Sequence, residues 1–176
     1  TGVQTCALPI SACCIKSFLI AAEQKPQQDG IRRARGVAVR NTNPELKTTT
    51  IKTWLDWYPE GVFGKFNWSP PYSHMIRVGD IELEMLFIPL DTDADIKKLL
   101  SMELTFAWLN EAREMSKGIV DAVTSRVNRY PSMKDGGSVN PCTFMDTNPP
   151  DEDHWWPIMA GEVPLPEYIP EHEAAM

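Results

Sequence analysis

Residues 104–109, LTFAWL, form an apolar run that stops at the polar pair Asn110-Glu111. A strand this apolar has to be covered on both faces, the situation of a central strand in a parallel sheet flanked by helices. The rest of the chain alternates accordingly. GVAVRNT predicts a short strand at Val37 to Val39 that ends in Arg40. Thr42 or Asn43 then caps a helix with Pro44 in its first turn, and Ile51, Trp54, Leu55 and Tyr58 make its buried face. SHMIRV and IELEMLFIPL flank Gly79-Asp80, a two-residue hairpin signal, and Ile81, Leu83, Met85 and Phe87 alternate with Glu82 and Glu84. DADIKKLL predicts a short helix, Ile119, Val123 and Val127 mark another by their four-residue spacing, and PCTFMD predicts a last strand before the turn TNPP. Together these elements predict a three-layer α/β domain with a mainly parallel sheet.

Two further stretches carry expectations. From Ala12 to Gln24, the residues Ile15, Phe18, Leu19 and Ala22 fall at helical spacing and predict the buried face of a first helix. KPQQDGIRRAR and YPEGVFGKFNWSPPY read as loops, the first polar, the second rich in Gly, Pro and aromatics.

With 43% apolar residues and 23% charged residues in 176, the chain has the composition of an ordinary globular domain and not of a disordered or collagenous one. No stretch approaches the length of an uncharged membrane span. The net charge of −7 sits in residues 147–176, which hold seven acidic residues, no Lys or Arg, and six of the fifteen prolines. The preceding 146 residues are electrically balanced, so contact with nucleic acid would require a local patch. The acidic, Pro-rich end, 161–176, reads as a linker. At the other end, TGVQTCALPI resembles an in-frame translation of a sequencing-library adapter, which places the first native residue at about Ser11 or Ala12. Without Cys6, the remaining Cys13, Cys14 and Cys142 are too few and too badly spaced for a disulfide framework or a zinc site, and read as reduced thiols.

In open α/β sheets, ligands bind beyond the carboxyl ends of the strands. Two such ends carry candidate chemistry. At Asn110-Glu111, the carboxylate can orient an attacking water, while the neutral Asn110 can only hydrogen-bond around a metal's water shell; the alternative is a helix cap formed by Asn110. At Thr147-Asn148, a polar pair can contact a terminal phosphate; the alternative is a plain turn before Pro149 and Pro150. Arg126 and Arg129 are candidates for an arginine finger reaching a neighbouring subunit, against a solvated helix end. Lys25, Arg32, Arg33 and Arg35 form a basic cluster that can meet a DNA backbone, against a solvated loop. Asp151, Asp153, His154 and Cys142 fit no zinc spacing, although a metal-dependent hydrolase built on Asp151, Asp153 and His154 is one rival reading. Trp54, Trp57, Trp155 and Trp156 read as packing residues.

The blocks VRNTNPELKTTTIKTWLDWYPE, FGKFNWSPPY, ELTFAWLNEARE, IVDAVTSRVNRYPSMKDGG and MDTNPPDEDHWW, in that order over about residues 12–160, resemble the ATPase domain of tailed-phage terminase large subunits, the motors that package DNA into procapsids. The resemblance implies a P-loop NTPase-like fold, with Asn110 and Glu111 at the Walker B position, Glu111 as the catalytic carboxylate, and Thr147-Asn148 as the motif coupling hydrolysis to movement. Many relatives carry Asp where this chain has Asn110. The resemblance also implies ATP and Mg²⁺ as cofactors. Its implied partners are double-stranded DNA, the portal protein, the small terminase subunit and a homo-oligomeric ring on the procapsid, in the host bacterial cytoplasm and with no membrane. The family's P-loop, G-x-x-x-x-G-K-[ST], would lie just before the helix that begins near Ala12, where the adapter-like decapeptide stands; no Lys precedes Lys16. The residues therefore read as a partial ATPase domain, 11–160, without its P-loop or the nuclease domain expected downstream, and by itself inactive. The rival from another class is a non-catalytic α/β binding or assembly domain.

Overall fold

The computed structural model describes residues 7–91 and 93–148. Six strands form one sheet in the order β2-β3-β4-β1-β5-β6: β1 (Arg32–Arg40), β2 (Phe66–Asn67), β3 (Tyr72–Val78), β4 (Ile81–Pro89), β5 (Phe106–Asn110) and β6 (Cys142–Asp146). β4, β1, β5 and β6 run parallel, and β3 and β2 complete the sheet antiparallel. The helices are α1 (Ala7–Ala22), a composite α2 made of Asn43–Glu45, a π-helical Leu46–Ile51 and Lys52–Trp57, α3 (Glu60–Phe63), and α4 (Lys117–Thr124). No helix among the described residues is long and apolar enough to cross a membrane.

Alternation along the central strands divides the interior into two cores. Ala34, Ala38, Phe106 and Trp108 point into the core beneath α1 and α2, with Trp54, Phe87 and Phe144. Val37, Val39, Ala107 and Leu109 point the other way, beneath α4 and the 3₁₀ segment Asp93–Leu99. Every residue of β5 is buried, which realises the central-strand expectation for LTFAWL and gives the three-layer α/β architecture. Each fully buried aromatic or aliphatic side chain contributes about 1.5–3 kcal/mol by leaving water.

The local signals of α2 and the hairpin are realised. Thr42 is the N-cap of α2, accepting from the Glu45 N–H while its hydroxyl donates to the Glu45 carboxylate at 2.8 Å, and Pro44 lies in the first turn. Gly79, at φ 58°, turns β3 into β4. Elsewhere the structure corrects the reading. The buried face of α1 is Cys13, Cys14, Ser17, Ile20 and Ala21, continued by Gln24 just past its end, whereas Ile15 and Leu19 are 40% and 54% exposed. Small side chains let the helix lie close to the sheet, and its polar members are satisfied: Ser17 donates to the Cys13 carbonyl, and Gln24 donates to the Ile20 and Val139 carbonyls. The strand predicted at Val37 begins five residues earlier, at Arg32, so Arg32, Arg33 and Arg35 are strand residues and not a loop. Carboxylates take up these charges: Arg32 pairs with Asp80, Arg33 with Asp29 and Glu82, and Arg35 with Glu84. Within the aromatic loop the chain adds α3 and the edge strand β2.

Two positions in this frame are sharply constrained. At Gly36, in β1, a Cβ would strike the Phe106 ring and the Met85 sulfur. Gly36→Ala should therefore destabilise the fold by about 1–3 kcal/mol through overpacking, read as a lowered urea midpoint. His74 is buried between two partners, accepting from Trp54 Nε1 at Nδ1 (3.0 Å) and donating from Nε2 to the Gly64 carbonyl (2.9 Å). Burial holds its pKa below the ordinary 6.5, against the smaller opposing influences of the Gly64 carbonyl and Glu60. The unfolded chain thus protonates first as pH falls. The stability due to the neutral ring is complete above 6.5 and is lost as pH drops through the folded-state value. Urea unfolding followed from about pH 7.5 to about pH 5 should show this decline, and His74→Gln should flatten it.

Candidate functional site

The four parallel strands end at one edge of the sheet, and their last residues meet there. Asn110 of β5 stands in register with Asp146 of β6, and Leu90, just past β4, donates its N–H to the Arg40 carbonyl at the end of β1. This brings the two predicted strand ends, Asn110-Glu111 and Thr147-Asn148, side by side. They are joined by Arg113, whose N–H donates to Thr147 Oγ1 at 3.2 Å. Thr147 donates its own hydroxyl to the Asn148 carbonyl, and Asn148 is exposed.

Asp146 lies at the centre of the edge. Trp108 Nε1 donates to its Oδ2 at 2.5 Å, and Asn110 Nδ2 and the Glu111 N–H donate to its Oδ1 at 2.6 and 3.1 Å. Cys13 lies close enough to this carboxylate to feel its charge. Burial, with this carboxylate second, pushes the Cys13 thiol up to about 12, and burial likewise pushes Cys14 up to about 12. Cys13, Cys14 and Cys142 are free thiols. Because Cys13 belongs to the N-terminal half of α1, that half of the helix lies at the same edge as Glu111. Its other end, at Gln24 and Ala22, bonds to Val139 and Arg32 near the starts of β6 and β1.

Asn110 is fully buried. Its Oδ1 accepts from Thr50 Oγ1 at 2.6 Å and from Arg40 Nη1 at 3.4 Å. Both lone pairs of that oxygen are thereby used, which leaves none for a metal's water shell, and the helix-cap alternative is not realised either: the N-cap position of the following 3₁₀ turn belongs to Glu111. Arg40 is buried as well, and its guanidinium lies within 3.6 Å of Glu45 and 3.4 Å of Glu114. Thr50 comes from the π-helical segment of α2.

Glu111 is different. It adopts φ 54° and ψ 56°, the left-handed region, which costs an ordinary L residue about 1–2 kcal/mol. A hydrogen bond to the charged Asp146 contributes about 1.5–3 kcal/mol and offsets that cost. The Glu111 side chain is 21% exposed, with Arg113 Nε 3.8 Å from its Oε2. Oε2 itself is buried and accepts no hydrogen bond. A carboxylate oxygen held at a strand end without a donor is one that can take a water's proton or orient the water.

The remaining candidates lie elsewhere. Arg126 donates from Nη1 to the Leu100 carbonyl and Arg129 from Nε to the Ser125 carbonyl. Both sit where Val127 bridges Leu104, before the amino end of β5 and seven residues of extended chain, about 23 Å, from Glu111. The structure does not bring them to this site. Asp151, Asp153 and His154, with Trp155 and Trp156, lie outside the described residues. Cys142 is at the opposite end of β6 from Asp146. Among the described residues no three His, Cys, Asp or Glu side chains gather as a metal site, and the oxygens of Asp146 and Asn110 are already committed, so the residues described do not form a Mg²⁺ cage. Sequence reasoning passed over Arg40, Thr50, Trp108, Cys13 and above all Asp146. The signal for Arg40 and Asp146 was present, since each is the one charged residue closing an apolar strand.

No protein-family model and no curated protein matches the chain by sequence. Its fold matches solved structures. The large terminase of a thermophilic bacteriophage superposes with a TM-score of 0.61 at 11% identity, over 83% of this chain and 32% of that one. Another crystal form of the same protein, in complex with ADP, gives 0.53 at 13% identity, over 82% and 31%. The chain thus has the α/β fold of a phage large terminase and spans about a third of the length of the structures it matches.

The left-handed backbone of Glu111 gives a test independent of any activity. Glu111→Gly removes the Cβ that makes φ 54° costly, so it should stabilise the fold by up to about 1 kcal/mol in urea unfolding. A destabilisation would show that the side chain contributes more through its contacts than it costs in strain.

Proposed function

We propose that this chain is part of the ATPase domain of a phage DNA-packaging motor, in which Glu111 orients the water that attacks the terminal phosphate of ATP. The observation that carries this reading is the convergence of Glu111, one oxygen of which accepts no hydrogen bond, and the Thr147-Asn148 segment at one carboxyl edge, beneath the N-terminal half of α1. The likeness in fold to a large terminase, one form of which was solved with ADP, supports the nucleotide. Helix N-termini favour anions because their unpaired N–H groups and dipole point outward. A P-loop leading into α1 would therefore hold the phosphates opposite Glu111, and residues 11–160 would be the motor's remaining ATPase portion.

In this mechanism Glu111 Oε2 accepts a hydrogen bond from the attacking water and aligns it with the phosphorus. Thr147 and Asn148 contact the transferred phosphate and register its departure. Asn110 holds the strand end in place through Thr50, Arg40 and Asp146, and takes no part in binding metal. Mg²⁺ bound with ATP would neutralise phosphate charge. Arg126 and Arg129, at the opposite edge, would act only on a neighbouring subunit's nucleotide in a ring. Double-stranded DNA, the portal protein and the small terminase subunit are the partners this function requires, in the host cytoplasm.

Two measurements test the proposal. Resequencing the source DNA across the codons for Ile10 to Ala12 should recover a strand followed by GxxxxGK[ST]; recovery of TGVQTCALPI as coding sequence would favour a non-catalytic α/β assembly domain. In the chain so extended, Glu111→Gln should lower ATP turnover by about 10²-fold or more while leaving nucleotide affinity within a few-fold. Turnover within a few-fold of the parent would remove Glu111 from the mechanism.

A further inference from the structure

Asp146 is 7% exposed, and its carboxylate accepts from three donors: Trp108 and Asn110 from β5 and the Glu111 N–H from the turn that follows. Two of these are side chains. The third is the backbone of a residue in the left-handed region, and so fixes the direction in which Glu111 leaves the chain. The next residue of the same segment, Thr147, accepts from the Arg113 N–H at 3.2 Å. Consecutive residues at the end of β6 thus grip the first and third residues of the Glu111–Arg113 turn. The Glu111 side chain is held less closely: its Oε2 accepts no hydrogen bond and is paired with the Arg113 guanidinium at 3.8 Å.

We infer that Asp146 is the positioning residue of the site: through the Glu111 N–H it sets where the Glu111 carboxylate points, and with Thr147 it joins the Glu111 turn to the end of β6 as one unit. A displacement of Thr147-Asn148 then carries Glu111 with it, which gives a physical link between a phosphate contact at one strand end and the carboxylate at the other. Only that catalytic consequence rests on the proposed ATPase; the positioning is a property of this chain alone.

The test uses the 176-residue chain labelled with ¹⁵N at Glu, Arg and Trp, without nucleotide, so that failure of the ATPase reading leaves it untouched. Amide exchange and chemical shifts are compared between the parent and Asp146→Asn at equal distances below their own melting midpoints. In the variant an amide N–H₂ replaces one of the two accepting oxygens. The Trp108 indole N–H resonance should move upfield, and the Glu111 amide should exchange about tenfold faster or more, with Glu82 and Glu84 amides within about twofold. A shifted Trp108 indole beside unchanged Glu111 exchange would overturn the inference, because Asp146 would then serve Trp108 alone. Should Asp146→Asn fail to fold, Thr147→Val removes the exposed grip on Arg113. Faster exchange at both Arg113 and Glu111 supports the coupled turn, and faster exchange at Arg113 alone overturns it.

Discussion

The structure depends on burying β1 and β5 on both faces at once. Parallel neighbours cannot be joined by tight hairpins, so each crossover must travel over one face of the sheet, and the helices and 3₁₀ turns in those crossovers supply the two covering layers. Phe106 and Trp108 face one layer while Ala107 and Leu109 face the other. The glycine at position 36 is part of the same constraint, since only a residue without a Cβ lets the Phe106 ring lie across β1. Parallel direction has a second result: the ends of β4, β1, β5 and β6 all open at one edge.

That edge is where polar groups enter a desolvated environment, and most are given a partner. Asn110 is used at both ends of its amide, Arg40 lies among Glu45, Glu114 and Asn110 although its Nε makes no hydrogen bond, and Asp146 accepts from three donors. Buried hydrogen bonds shared in this way tie the strand ends together. The π-helical stretch in α2 belongs to the same arrangement: it carries Thr50, whose hydroxyl reaches Asn110, while Thr48 and Thr49 bond back to the carbonyls of Pro44 and Glu45. Against this background Glu111 Oε2 accepts no hydrogen bond and faces the Arg113 guanidinium at 3.8 Å, and its placement on a left-handed backbone shows that local strain is tolerated there.

The match to a phage large terminase at 11% identity illustrates how loosely a fold of this type constrains individual residues. Apolar pattern, crossover length and a few small residues at close contacts suffice for the architecture. At the strand ends the individual side chains matter more: Asn110 is neutral, and its amide is absorbed into the hydrogen-bond network.

Several elements were determined by sequence alone because their causes are local. The cap at Thr42 with Pro44 in the first turn, the Gly79-Asp80 turn, the alternation in β4 and the apolar run of β5 each act within a few residues, and each is present where the pattern places it. The two polar strand ends were legible for the same reason. Long-range partners decided what sequence could not. α1 is apolar around most of its circumference, so periodicity alone could not choose between the Ile15–Leu19 face and the Cys13–Ser17 face; close packing on the sheet chose the smaller side chains. Arg32, Arg33 and Arg35 look like loop residues until the carboxylates of Asp80, Asp29, Glu82 and Glu84 stand beside them. Asp146 reads as the last residue of a strand, and only the pairing of β6 with β5 puts Trp108, Asn110 and Glu111 within its reach. Hydrogen bonds between residues 35 or more apart in sequence are set by register between strands, and register is a property of the folded sheet.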